Sequence, residues 1–256
     1  YNWARLFRVD MLTVLFGFAG IYVVHKHHND KKLYFSILLF ILTLFTKQSN
    51  IVAPLAAITF LFIKNWKKAI LYSTIFGIAG LSSLLLINLL TDGNFIKHIL
   101  VYHFVSFKVS LLIKNLLYLF SRHLVTIGLS TFFIIKQYRK QGKFFTLLNI
   151  YFFYSFAFVF LSGRIGVSHN IFLDLILIST VLTGLQINNL INHDTKKIVS
   201  YSFNVILIIQ LLIFFHIPYI SKEIFRTPNY KEKESSTNVF NYIKKAKGKV
   251  FCYDMS

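Results

Sequence analysis

Runs of apolar residues dominate this chain, at 11–24, 33–46, 51–63, 69–90, 118–135, 144–161, 170–188 and 198–217, with short polar or basic connections between them. A backbone in lipid must satisfy its own N–H and C=O groups, so such runs fold as helices rather than as open strands. Charged residues make up only 14% of the chain, against about a quarter in soluble domains. The expected fold is therefore all-α, a polytopic transmembrane helical bundle of about eight spans. A straight crossing takes about 20 residues, and the first three runs are shorter. Either their polar ends lie below the membrane surface or one of them is re-entrant.

Each span flips the side on which the next connection emerges, so the basic residues test the count. With eight spans, Lys26, Lys31 and Lys32, then Lys64, Lys67 and Lys68, then Lys136, Arg139, Lys140 and Lys143, then Lys196 and Lys197 all share one side. The opposite short connections hold only Lys47 and Arg164. The excess of lysine marks the cytoplasmic side. One long helix over 33–63 would split the basic clusters and bury Lys47, Gln48, Ser49 and Asn50 in hydrocarbon, so a break is expected there with Lys47 at its outer tip. The same parity places Asp10, Asp92, His103, His169 and Asn170 outside, with Asp174 one turn further in. The connection 91–115 mixes apolar and basic residues in a pattern that fits an amphipathic interfacial helix. Arg122 and His123 fall just inside the fifth run, where snorkelling accounts for them.

The formal charge of +19 would suggest nucleic acid in a soluble protein. Here the basic residues cluster between apolar runs, where anionic membrane lipids are their partners, so no nucleic acid is expected. The single Cys252 allows no internal disulfide and fits no metal spacing. Residues 1–220 read as the membrane region and 221–256 as the beginning of an extracytoplasmic soluble domain. The opening at Tyr1 and the stop just after a strand-like 249–253 read as the ends of a fragment.

Three stretches carry a likeness. Arg8-Val-Asp-Met-Leu12 opens one span, Leu42-Thr-Leu-Phe-Thr-Lys-Gln-Ser49 closes the second, and Gly163-Arg-Ile-Gly-Val-Ser-His-Asn-Ile-Phe-Leu-Asp174 opens the seventh. Together they resemble the GT-C membrane glycosyltransferases, the superfamily of the protein mannosyltransferases and the aminoarabinose transferases acting on lipid A. The resemblance implies transfer of a sugar from a polyprenyl-phosphate donor to a lipid, glycan or protein acceptor on the outer face of the cytoplasmic membrane. It also implies a catalytic base, an Asp, in an outer loop upstream of Tyr1.

The remaining polar residues are read on their own chemistry. Lys47 offers a point charge to a donor phosphate, Arg164 a bidentate clamp and His103 a further phosphate contact; interfacial snorkelling is the alternative for the lysine. Asp10 suits a divalent metal cation or a cationic partner, or is a helix N-terminal charge favoured by the macrodipole. Asn170 and Asp174, four residues apart, share a helix face, and Asp174 is either part of a polar site or a buried acid paired with a basic neighbour. His169 completes this polar group, and like His103 it suits a metal or a phosphate oxygen or else sits at the interface. His25, His27 and His28 read as a solvated cluster, Gly77 and Gly80 as close-packing points, and Asn88, Asn149, Asn204 and Gln210 as interhelical glue. A transporter or lipid flippase is the alternative function, with a non-catalytic envelope polysaccharide-assembly protein as a third; a passage needs polar residues at mid-depth, and the candidates here crowd towards the outer ends.

Overall fold

The computed structural model describes residues 9–48, 50–100, 105–142, 144–165, 167 and 169–192, with isolated residues between 205 and 242. Among these the elements are helical, and an isolated antiparallel bridge joins Phe107 to Arg164. The α-helices are α1 (Asp10–His27), α2 (Phe35–Thr46), α3 (Val52–Lys64), α4 (Trp66–Leu90), α5 (Asn94–Leu100), α6 (Val109–Gln141), α7 (Leu147–Val159) and α8 (Leu173–Asn192). Short 3-10 turns at Lys31–Tyr34, Phe160–Gly163 and His169–Phe172 lead into α2, extend α7 and lead into α8.

Three of these segments, Trp66–Leu90, Val109–Lys140 and His169–Asn188, are long and apolar enough to cross a membrane. Val52–Lys64 and Leu147–Gly163 are apolar but shorter. A 13-residue helix such as α3 rises about 20 Å, against a hydrocarbon core of about 30 Å. The first seven apolar runs each match a helix, but three rather than eight have the length of a span among the described residues. The eighth run lies outside the described residues except for Val205, Ile208 and Gln210, and so does most of the tail at 221–256, including 249–253.

The break inside 33–63 falls at Lys47, whose backbone turns extended at φ −154° and ψ 107° after its N–H closes on the Thr43 carbonyl. Helix α3 then restarts with Pro54 in its first turn, where a missing N–H costs nothing. At the other end of α3 a single residue, Asn65, separates it from α4. Its N–H bonds the Leu61 carbonyl, its carbonyl accepts from the Ala69 N–H, and its side chain accepts from the Lys68 N–H at 3.1 Å, so one residue ends one helix and caps the next. Asp92 and Gly93, both at positive φ, stop α4. The amphipathic stretch expected over 91–115 is instead the short α5 followed by the start of α6 at Val109. The apolar helical period of the fifth run continues back through Leu116 and Leu112, which is why α6 is 33 residues long. It ends at left-handed Gly142, whose N–H bonds the Tyr138 carbonyl.

Helix α1 is the central post: α2 and α3 both pack on it, and α8 touches it. Its glycines allow this. A Cβ on Gly20 would fall 2.3 Å from the ring of buried Phe40, and one on Gly17 would lie 3.3 Å from Ala53 Cβ. The close-packing role expected of Gly77 and Gly80 belongs to these two, because nothing lies within 4 Å of a Cβ built at either α4 position. Only Ala69 and Tyr72 of α4 are buried, so most of that apolar helix faces outwards. Hydroxyls supply the cross-links. Ser36 and Tyr72 share a 2.6 Å bond between α2 and α4, Thr59 and Tyr154 one of 2.9 Å between α3 and α7, and Ser130 donates to the Ser179 carbonyl between α6 and α8.

The bundle has two chemically different ends. At one, the Lys68 ammonium donates to the His28 carbonyl at 2.5 Å, joining the basic turn at α3–α4 to the histidine-bearing turn after α1, and Gln137 accepts from Asn149 across the α6–α7 connection. Asp30 caps the 3-10 turn there by accepting from the Lys32 N–H, and the hydrogen bond from His27 holds its carboxyl below the ordinary carboxylate range. The acids Asp10 and Asp174 gather at the other end.

Candidate functional site

At that end, four residues from three separate stretches meet. Asp10 is the first residue of α1, Lys47 follows the last residue of α2, Asn170 lies in the 3-10 turn before α8, and Asp174 is in the first turn of α8. The Lys47 ammonium donates to Asp10 Oδ1 at 2.5 Å, and Asn170 Nδ2 donates to the same oxygen at 2.9 Å. Asp174 accepts from the Tyr151 hydroxyl of α7 and from the side chain of Asn50. Thr13, one turn after Asp10, donates to the Thr43 carbonyl one turn before Lys47 at 2.8 Å, which fixes the two helix ends that carry the ion pair.

These groups enclose a small cavity of about 30 Å³, lined by Asp10, Thr13, Lys47, Asn50, Asn170 and Asp174, with Ser155 and Phe158 from α7. That is room for one or two water molecules. Ser155 Oγ is buried there and has no hydrogen-bond partner among the described residues, so it offers its hydroxyl to whatever enters. Lys47 keeps 28% of its side chain exposed while Asp10 keeps 7%, so the cavity opens on the lysine side. One cation here faces two acids, and the cluster has no surplus positive charge.

The expectation of a divalent metal on Asp10 meets a specific obstacle. Asp10 Oδ1 already accepts from Lys47 and Asn170, so a divalent ion on that carboxylate would share it with an ammonium. Among the described residues no three His, Cys, Asp or Glu side chains stand close enough together to hold a metal. The donor set as it stands suits hydroxyls and water better than a divalent cation.

The other candidates take different places. Arg164 does not line the cavity; its backbone is held by the bridge to Phe107, with Lys108 N–H on the Gly163 carbonyl at 2.8 Å and Ile165 N–H on the Ser106 carbonyl at 3.0 Å. Gly163 lets the Phe107 ring lie close, because a Cβ would fall 2.4 Å from that half-exposed ring and push it aside. His169 points away from the cavity and stacks on Tyr118 of α6, with ring centroids 3.7 Å apart and planes 16° off parallel. His103 lies outside the described residues. Of the interhelical amides, Asn88 caps α5 by accepting from the Ile96 N–H, Asn149 bonds Gln137, and Gln210 donates to the Arg122 carbonyl; Asn204 lies outside the described residues.

Sequence reasoning missed Asn50, Tyr151 and Ser155 as members of the cluster. Tyr151 and Ser155 are four apart on α7, and that spacing within an apolar run was the signal available. It also assigned Asp174 a basic partner as the alternative, where the direct partners are a tyrosine and an asparagine. Arg122, read as snorkelling, lies over the Tyr118 ring at 4.4 Å.

Comparison with known proteins found no match among family models, curated proteins or solved structures.

Proposed function

We propose that this chain is part of a membrane glycosyltransferase that moves a sugar from a polyprenyl-phosphate donor to an extracytoplasmic lipid, glycan or protein acceptor. The observation that carries the reading is the convergence of Asp10, Lys47, Asn170 and Asp174, from helices far apart in sequence, on one cavity at one end of the bundle. Carboxylates, amides and a free hydroxyl around an open mouth are what sugar hydroxyls need for recognition. The apolar faces beside the mouth accommodate an isoprenoid tail. In this reading the sugar docks at the mouth of the cavity, whose interior holds only one or two waters, and none of the four residues is the base.

In this reading the site faces the extracytoplasmic side of a cytoplasmic membrane, which the position of the acidic cluster away from the lysine-rich turns supports under the positive-inside rule. This full topology has eight spans, with the short helices tilted or bordered by thinned lipid. A transport passage would need polar groups through the middle of the bundle. The hydroxyls of Ser36, Thr59 and Ser130 are engaged with neighbouring helices, while Ser179 Oγ and Gln186 Oε1 of α8 are buried without a partner among the described residues, and the charged groups crowd to the ends, which favours the enzyme.

The test is transfer in cells whose own copy is deleted. Asp10→Asn and Asn170→Ala each should reduce glycan transfer by about tenfold or more, the loss expected when a charged or buried hydrogen-bond partner of the substrate is removed. Wild-type transfer by both variants at normal membrane levels would sink the proposal.

A further inference from the structure

The charges around the acidic cavity do not cancel. Asp10 and Asp174 supply two carboxylates against the single ammonium of Lys47, which is bonded to Asp10 at 2.5 Å. Asp174 takes two donors, the Tyr151 hydroxyl and the Asn50 side chain, neither of them charged, and Lys47 acts on it only through space. The acids are 5% and 7% exposed, and Val14 and Phe158 close the wall beside them, so the uncancelled negative charge has little water to screen it. Ser155 adds an independent sign. Helical hydroxyls elsewhere in the bundle turn back on the carbonyl four residues earlier, as Thr43 does to Leu39, Ser83 to Ala79 and Ser130 to Thr126. Ser155, 1% exposed, makes no such bond to Tyr151 and lines the cavity with its oxygen unpartnered among the described residues.

We propose that this cavity binds a monovalent cation of sodium size. One such ion cancels the charge that Lys47 leaves over, whereas a divalent ion would exceed it. Hard cations take oxygen ligands, and here Asp10, Asp174 and Ser155 are joined by the Thr13 hydroxyl and by Asn50 and Asn170, which spend an amide N–H on the acids and each keep a carbonyl oxygen besides. The space of about 30 Å³ takes a sodium ion with one water. Entry is past Lys47, the partly exposed member of the set. The ion lies beneath the mouth at which the sugar docks in the proposed function, and its binding does not depend on transfer.

The test is a saturable rise in the melting temperature of the purified full chain in detergent, titrated with NaCl, KCl or N-methyl-D-glucamine chloride at constant ionic strength. Sodium should raise it by about 3–5 °C once it exceeds its dissociation constant roughly tenfold. Potassium should need a roughly tenfold higher concentration, because the space is small, and N-methyl-D-glucamine should have no effect. Ser155→Ala separates a ligand from a structural role. With no hydrogen bond to lose it should melt at or above the wild-type temperature without sodium, yet its sodium midpoint should rise roughly tenfold. Asp174→Asn should lose the sodium response altogether. Lys47→Met removes the site's own cation and should bind sodium roughly tenfold more tightly, an outcome that damage to the fold does not produce. Three results would overturn the proposal: no shift with sodium, as when Asp174 holds a proton instead; equal shifts with sodium and potassium; or a wild-type sodium midpoint in both Ser155→Ala and Asp174→Asn.

Discussion

The Lys47–Asp10 pair concentrates the energetics of the cavity in one contact. Removing Lys47 leaves a carboxylate largely shut off from water, held only by Asn170 and a helix N-terminus. A fully buried pair broken in this way loses about 3–5 kcal/mol; the partial exposure of the lysine brings the expectation for Lys47→Met to about 2 kcal/mol. The double variant Asp10→Asn with Lys47→Met should recover most of that loss, since no unpaired charge remains, and detergent melting of the three variants checks it. Asp30 makes a second prediction. Its folded carboxyl ionises more readily than in the unfolded chain, so the cap it makes is present above the unfolded value and is lost as pH falls through the folded one. Below about pH 4 the Lys32 amide should lose protection from hydrogen exchange relative to its neutral-pH value, and Asp30→Asn should remove that pH dependence. Asp10, Lys47, Asn170 and Asp174 were legible in the sequence because polar residues at the ends of apolar runs have few bland explanations. Tyr151, Asn50 and Ser155 were not, because a tyrosine or serine in a helix becomes part of a site only through the neighbour it meets.

At the scale of helices, the crossing of α1 over α2 depends on a missing side chain. Gly20→Ala sets a methyl against the Phe40 ring and should cost about 1–3 kcal/mol, the range for overpacking a filled contact. Phe40→Leu in the same background should return part of it. Gly77→Ala on bare α4 meets nothing and should be neutral or stabilising by up to about 1 kcal/mol, the propensity difference alone. Melting of these variants side by side separates packing from propensity. Both pairs of glycines sit in apolar runs, and spacing did not tell them apart. Which face of a helix meets a neighbour is decided by the other helices, and a periodicity that is apolar all round, as in α4, carries no such label. Boundaries were clearer: the break at Lys47 follows from the cost of polar groups in lipid. The apolar run starts later than α6 because Lys114, which reads as a loop residue, is one exposed position on the helix.

For the molecule as a whole, the separation of lysine-rich turns from the acidic cluster is the feature that parity anticipated. Single cysteines at Gln48→Cys and Lys140→Cys, with Cys252 replaced by Ser, should differ in intact cells: only the first reacts with an impermeant maleimide, and equal labelling would contradict the proposed topology. Span number was not legible, because short helices such as α2 and α3 are apolar yet reach only part of the way across. The same separation has an electrical consequence. In the proposed topology Lys26, Lys31, Lys32, Lys64, Lys67 and Lys68 make a cationic rim, which would render the protein a permanent dipole across an energised bilayer. Inverting that arrangement would drive the rim against the voltage at about 2.3 kcal/mol per charge for each 100 mV, so the proposed heading would be reinforced by respiration or any other process that keeps the membrane polarised.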